Sequence, residues 1–135
     1  MRIAVVAVSE RKSEKLRKLA RAAAREFSAS GHLSELFESV DTRLCTYDFL
    51  VVCSEPSGFG SEIGLKLSVQ LSNGGNLVGK RSMALLVKSG IFPRKALAKL
   101  MRALEKEGMV VTMGEVVARD SEAVEAVRSA PLLRG

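Results

Sequence analysis

Three stretches of this chain are apolar at nearly every position, and they limit what it can fold into. They are residues 2–8 (Arg-Ile-Ala-Val-Val-Ala-Val), 48–53 (Asp-Phe-Leu-Val-Val-Cys) and 82–87 (Ser-Met-Ala-Leu-Leu-Val). A strand with one wet face alternates apolar and polar residues. A strand that is apolar throughout is covered on both faces, as in a parallel sheet between two helical layers. None of the runs approaches the roughly 20 residues of a membrane span.

The segments between these runs supply the helices. After the polar residues Ser9, Glu10, Arg11, Lys12 and Ser13, the residues Leu16, Leu19, Ala20, Ala23, Ala24 and Phe27 recur at helical spacing. Lys15, Arg17, Lys18, Arg21 and Arg25 fall largely outside that stripe, and Gly31 is a natural stop. Pro93 suits a first helical turn, and Leu97, Leu100, Met101 and Leu104 form a second stripe ending before Gly108. Met109, Val110 and Val111 open a last strand. Asp120 or Ser121 is expected to cap a short terminal helix containing Val124 and Val127.

Two segments read ambiguously. In residues 32–40, Leu33, Leu36, Phe37 and Val40 satisfy neither period cleanly, and a strand is expected there because a parallel strand should follow the first helix. In residues 61–72, Leu65, Leu67, Val69 and Leu71 alternate like a strand, whereas Ile63, Leu67 and Leu71 suit a helix. Parallel strands need a crossover, so the helix is the expectation. The cluster Asn73-Gly74-Gly75-Asn76 then marks a turn. Strands and helices alternate without repeat or linker, which predicts one domain over 1–135: a doubly wound, five-stranded parallel sheet with helices on both faces, an α/β/α sandwich.

Composition narrows the function. Hydrophobic residues make up 47% of the 135, enough for an ordered core. Residues 1–8 lack the features of a signal peptide, so a cytoplasmic location is expected. Cys45 and Cys53 fit no disulfide framework or zinc spacing, and Cys53 reads as a small buried hydrophobe. With His32 the only histidine, a multi-histidine metal site is excluded. The net charge of +6 suits an anionic partner: a phosphorylated ligand, an acidic protein or nucleic acid. One Tyr, five Phe and no Trp argue against broad base stacking, hence against nucleic acid.

In open parallel sheets, ligands bind beyond the carboxyl ends of the strands. Three small-residue-rich loops, 9–13, 54–61 and 88–92, belong to that edge. Arg11 and Lys12 precede one helix, and Arg94 and Lys95 begin another, although the helix dipole disfavours cations there. An anionic ligand or partner would offset that; solvated side chains are the alternative reading. Loop serines Ser54, Ser57 and Ser89 raise a hydrolase, but no Gly-x-Ser-x-Gly elbow is present, and His32 is expected at the far edge.

The stretch Tyr47-Asp48-Phe49-Leu50-Val51-Val52-Cys53-Ser54-Glu55-Pro56-Ser57-Gly58-Phe59-Gly60 resembles the third strand and second flavin-contacting loop of flavodoxins. Gly79-Lys80-Arg81, the strand 82–87, Ser89-Gly90 and the helix ending before Gly108-Met109-Val110-Val111 are similar to the flavodoxin order downstream. The resemblance implies a flavodoxin-like fold and a cytoplasmic FMN-binding flavoprotein for electron transport or oxidoreductase chemistry. It implies that Ser9 and Ser13, with Arg11 and Lys12, lie at the phosphate loop. Pro56, Ser57, Gly58 and Phe59 would meet the isoalloxazine ring, as would Ser89, Gly90 and Ile91, with Phe92 beside it. The family's phosphate loop usually carries a Thr-Gly-Asn-Thr type run, but here Arg11 stands at the glycine position with Glu10 beside it. Two functions therefore stay open. One is FMN-dependent redox chemistry, with an acidic redox partner compatible with the basic charge. The other is the same scaffold without flavin, receiving a phosphorylated ligand or acidic partner on its basic loops.

Overall fold

The structure is a computed structural model that describes residues 1–9, 12–56 and 65–132. Among these, the strands β1 (Arg2–Val8), β2 (Leu33–Phe37), β3 (Phe49–Ser54), β4 (Arg81–Val87) and β5 (Val110–Val117) form one sheet in the order β2-β1-β3-β4-β5. Every neighbouring pair is parallel. The register sets Val8 beside Ser54 and Ser54 beside Leu86, so β1, β3 and β4 end together at one edge. From β1 the chain goes first to one side, to β2, and then to the other, to β3. The reversal leaves a crevice between the carboxyl ends of β1 and β3.

The helices are α1 (Glu14–Ala29), α2 (Leu65–Ser72), α3 (Pro93–Lys106) and α4 (Asp120–Arg128). On one face, Ile3, Val5, Phe49, Val51, Met83 and Leu85 pack with Leu16, Leu19, Ala23 and Phe27 of α1 and Ala123 and Val127 of α4. On the other, Ala4, Val6, Leu50, Val52, Ala84 and Leu86 pack with Leu67 and Leu71 of α2 and Ala96, Leu100 and Leu104 of α3. Each central strand thus feeds alternate residues into two separate cores, which is why its sequence shows no alternation. The expected α/β/α sandwich is the one observed.

The ambiguous segments resolve on burial. Leu67 and Leu71 are buried on one side of α2, while Val69 is 60% exposed; a strand would have put all three on one face. The residues of that expected helix from 61 to 64, Ile63 included, lie outside the described residues. The strand expected in 32–40 is β2, an edge strand, with Leu33 exposed and Phe37 buried. Beyond it the chain runs through a 3-10 helix, Thr42–Thr46, whose Leu44 joins Val40 and Tyr47 in the second core. Between β4 and β5 the register slips by one residue at Thr112, whose hydroxyl donates to the Ser82 carbonyl at 2.9 Å.

One expectation is corrected. The cap of α4 is neither Asp120 nor Ser121 but Arg119, in extended backbone. Glu122, three residues on, reaches back and accepts from the Ala118 and Arg119 N–H groups at 2.8 and 3.0 Å. A carboxylate from within the first turn thus satisfies the N–H groups of the two residues that lead into the helix. Those bonds, that from Ala118 first, hold the Glu122 carboxyl below its ordinary range.

Candidate functional site at the carboxyl edge of the sheet

The crevice beyond β1 and β3 is built from short-range polar contacts. Ser13 caps α1: its extended backbone turns the chain into the helix, and its Oγ accepts from the Leu16 N–H at 3.2 Å. The same hydroxyl donates to Glu55 Oε2 at 2.8 Å, so the first loop is tied to the residue that follows β3. Ser54, fully buried, donates to the Val8 carbonyl at 2.7 Å and locks the ends of β1 and β3 together. Lys15, near the start of α1, donates through Nζ to the Lys88 carbonyl at 3.3 Å, joining the first loop to the third.

A cavity of about 300 Å3 opens at the end of β1, lined by Val8, Ser9, Lys12, Ser13, Leu16 and Arg17 among others. That is the lower end of the range for ligand pockets, roughly 300–1,000 Å3. Glu38 lies at its side and holds the Arg17 guanidinium through a 2.5 Å contact to Nε. This bond, with Glu14 adding to it, keeps Arg17 above its ordinary range and directs its charge to the two carboxylates. Lys12 stands exposed on the rim. Two serines, the start of α1 and a lysine meet at this mouth, residue types that suit an oxyanion. The Glu38 carboxylate in the wall, paired with Arg17, and the Glu55 carboxylate, hydrogen-bonded to Ser13, have the opposite preference.

Of the residues expected to contribute, Ser9, Lys12 and Ser13 come together around this cavity, and the buried Pro56 follows Glu55 beside it in sequence. Ser89, Gly90 and Ile91 follow β4 at the same edge; Gly90 has φ +77°, a conformation open to glycine at no steric cost. Ile91 and Phe92 are 68% and 53% exposed, an apolar pair on an otherwise polar rim, and the Lys95 ammonium lies 5.6 Å from the Phe92 ring centroid. Arg11, Ser57, Gly58 and Phe59 lie outside the described residues. So does Glu10.

Phe92 caps α3 without a side-chain hydrogen bond, and the first turn of α3 carries Arg94 and Lys95 with no acid. Lys88, Arg94 and Arg119 line one cavity of about 420 Å3 with Glu122 among them. The two basic helix starts belong to opposite faces of the sheet, since α1 packs in one core and α3 in the other. Glu55, Lys88 and Arg119 are not singled out by any motif in the sequence. Glu55 was detectable in principle as a charge placed directly after a buried strand at the reversal point; Lys88 and Arg119 meet only through the pairing of β4 with β5.

Other candidates lie elsewhere. His32 precedes β2 at the amino edge, its ring 6.3 Å from that of Phe27, across the sheet's length from Ser54 and Ser89. Tyr47 is buried at the same amino edge, 5.5 Å from Phe37 ring to ring and under the Arg2 guanidinium. Cys53 is buried, which pushes its thiol up to about 12, and Cys45 donates to the Thr42 carbonyl. Among the described residues no helix is long and apolar enough to cross a membrane.

No family model and no curated protein matches the sequence. Solved structures do match in fold. Flavodoxin 2 from Bacillus cereus, in its oxidised form, shares 21% identity at a TM-score of 0.71, over 96% of this chain and 94% of that one. A cysteine-to-alanine mutant of the flavodoxin from Pseudomonas aeruginosa gives 15% and 0.73, over 96% and 95%. Two-electron reduced Megasphaera elsdenii flavodoxin gives 17% and 0.69, over 95% and 99%. With its strand order and both helical layers in agreement, the chain has the flavodoxin-like fold.

Proposed function

We propose that the protein binds FMN across the carboxyl edge of its sheet and exchanges electrons through it. The observation that carries this reading is the meeting of Ser9, Lys12 and Ser13 around one cavity at the carboxyl end of β1, beside the start of α1. The α1 N-terminus, with the Ser9 and Ser13 hydroxyls, would hold the phosphate, since both hydroxyls and helix N–H groups suit an oxyanion. Ile91 and Phe92 offer exposed apolar surface against which a flat ring can pack. Ser57, Gly58 and Phe59 enter through the resemblance alone. When bound, the flavin supplies the redox chemistry, and the chain supplies position and electrostatics.

The cations Lys88, Arg94, Lys95 and Arg119 at the neighbouring strand ends suit a redox partner with an acidic face. Likeness to flavodoxins described in oxidised and two-electron reduced forms supports the redox reading at the level of the fold.

The test is a titration of purified protein with FMN, followed by flavin fluorescence and absorbance. Quenching with a shifted visible band is expected below about 100 μM protein. Flavin fluorescence unchanged through that range would overturn the reading.

A further inference from the structure

The Glu55–Ser13 contact gives the site a property that neither the fold nor a flavin reading requires. A phosphate at the α1 N-terminus needs the Ser13 hydroxyl and the first-turn N–H groups as donors. In this structure the Ser13 hydroxyl already donates to an anion of the chain itself, at 2.8 Å to Oε2 and 3.3 Å to Oε1 of Glu55. Its oxygen also accepts from the Leu16 N–H, which holds the hydroxyl at the helix start. Glu55 is only half-buried, and Ser54 and Pro56 on either side of it are buried, which fixes the backbone from which it reaches across. The Arg17 charge, which would otherwise offset a second anion, is committed to Glu38 and Glu14.

We propose that Glu55 sets the charge preference of this site, holding down its affinity for a phosphorylated ligand relative to an uncharged ligand of the same shape. The inference rests on the flavin reading for the identity of that ligand. Its physical content is that a phosphate dianion must either displace the carboxylate from Ser13 or sit beside it. Both cost binding free energy that riboflavin, which lacks the phosphate, does not lose.

The experiment titrates FMN and riboflavin against the wild-type chain, Glu55→Gln and Glu55→Ala. Inorganic phosphate is titrated in parallel and followed through the amide resonances of Ser13 and Leu16. Glutamine keeps an acceptor for the Ser13 hydroxyl while removing the charge; alanine guards against a new contact made by the amide. In both variants the preference for FMN over riboflavin should rise by about tenfold or more, the scale of one like-charge contact at a partly exposed site. An unchanged preference would overturn the proposal. If no flavin binds any of the three proteins, the flavin reading falls, and the phosphate titration decides the role of Glu55. Tighter phosphate binding in both variants then sustains it; equal binding, or none, overturns it.

Discussion

At the start of α1 the Ser13 hydroxyl accepts from the Leu16 N–H and donates to Glu55, so one oxygen both caps a helix and ties two loops together. Ser13→Ala should cost about 1 kcal/mol of stability, within the usual range of roughly 0.5–2 kcal/mol for a lost cap. Ser13→Thr, which keeps the oxygen, should recover most of it. Urea unfolding of the three proteins measures this; an alanine variant as stable as wild type would leave Ser13 with no part in how α1 begins. Ser13 was marked in the sequence by the resemblance of its loop to a phosphate loop, while its part as the cap of α1 comes from the structure. That Ser13 meets Glu55 was not legible, because the two lie 42 residues apart and only the pairing of β1 with β3 brings them together.

Among the elements, the buried strands and long helices were readable because each carries its burial pattern in its own residues. Leu16, Leu19, Ala20, Ala23 and Phe27 are buried as their spacing requires, and so are Leu100 and Leu104. Residues 61–72 were equivocal because Leu67 and Leu71 serve both periods; Val69 separates them, and only its exposure reveals which period is real. The α4 cap departs from its local signals for a related reason. Asp120 and Ser121 are good capping types, but Glu122 supplies the acceptor from inside the helix. The turn after α3 offers a sharper test. Gly108 has φ +85°, and a Cβ there would lie 2.9 Å from Val78 Cγ2 and 3.2 Å from the Val78 Cα. Gly108→Ala combines left-handed strain of about 1–2 kcal/mol with a backbone contact that cannot swing away. A loss of roughly 2 kcal/mol or more in chemical unfolding is expected, and a loss under about 0.5 kcal/mol would contradict the close approach of this turn to Val78.

For the molecule as a whole, two layers of helices around a parallel sheet follow from three apolar runs and the helical stripes between them. The strand order then fixes where a ligand crevice lies, independently of what fills it. The site was legible only as loops of the right composition at the right edge; which polar groups meet, and that a carboxylate meets the helix cap, depends on register and long-range pairing. The net charge of +6 was legible as a number, but the meeting of Lys88, Arg94 and Arg119 around one cavity was not. The central claim is that FMN binds across the ends of β1, β3 and β4. An amide-resolved NMR titration with FMN tests it most directly. Shifts are expected at Ser9, Lys12, Ser13, Leu16, Ser89 and Ile91, with His32, Leu33, Asp48 and Val110 at the opposite edge unmoved. Shifts confined to the amino edge, or no shifts at saturating FMN, would contradict it.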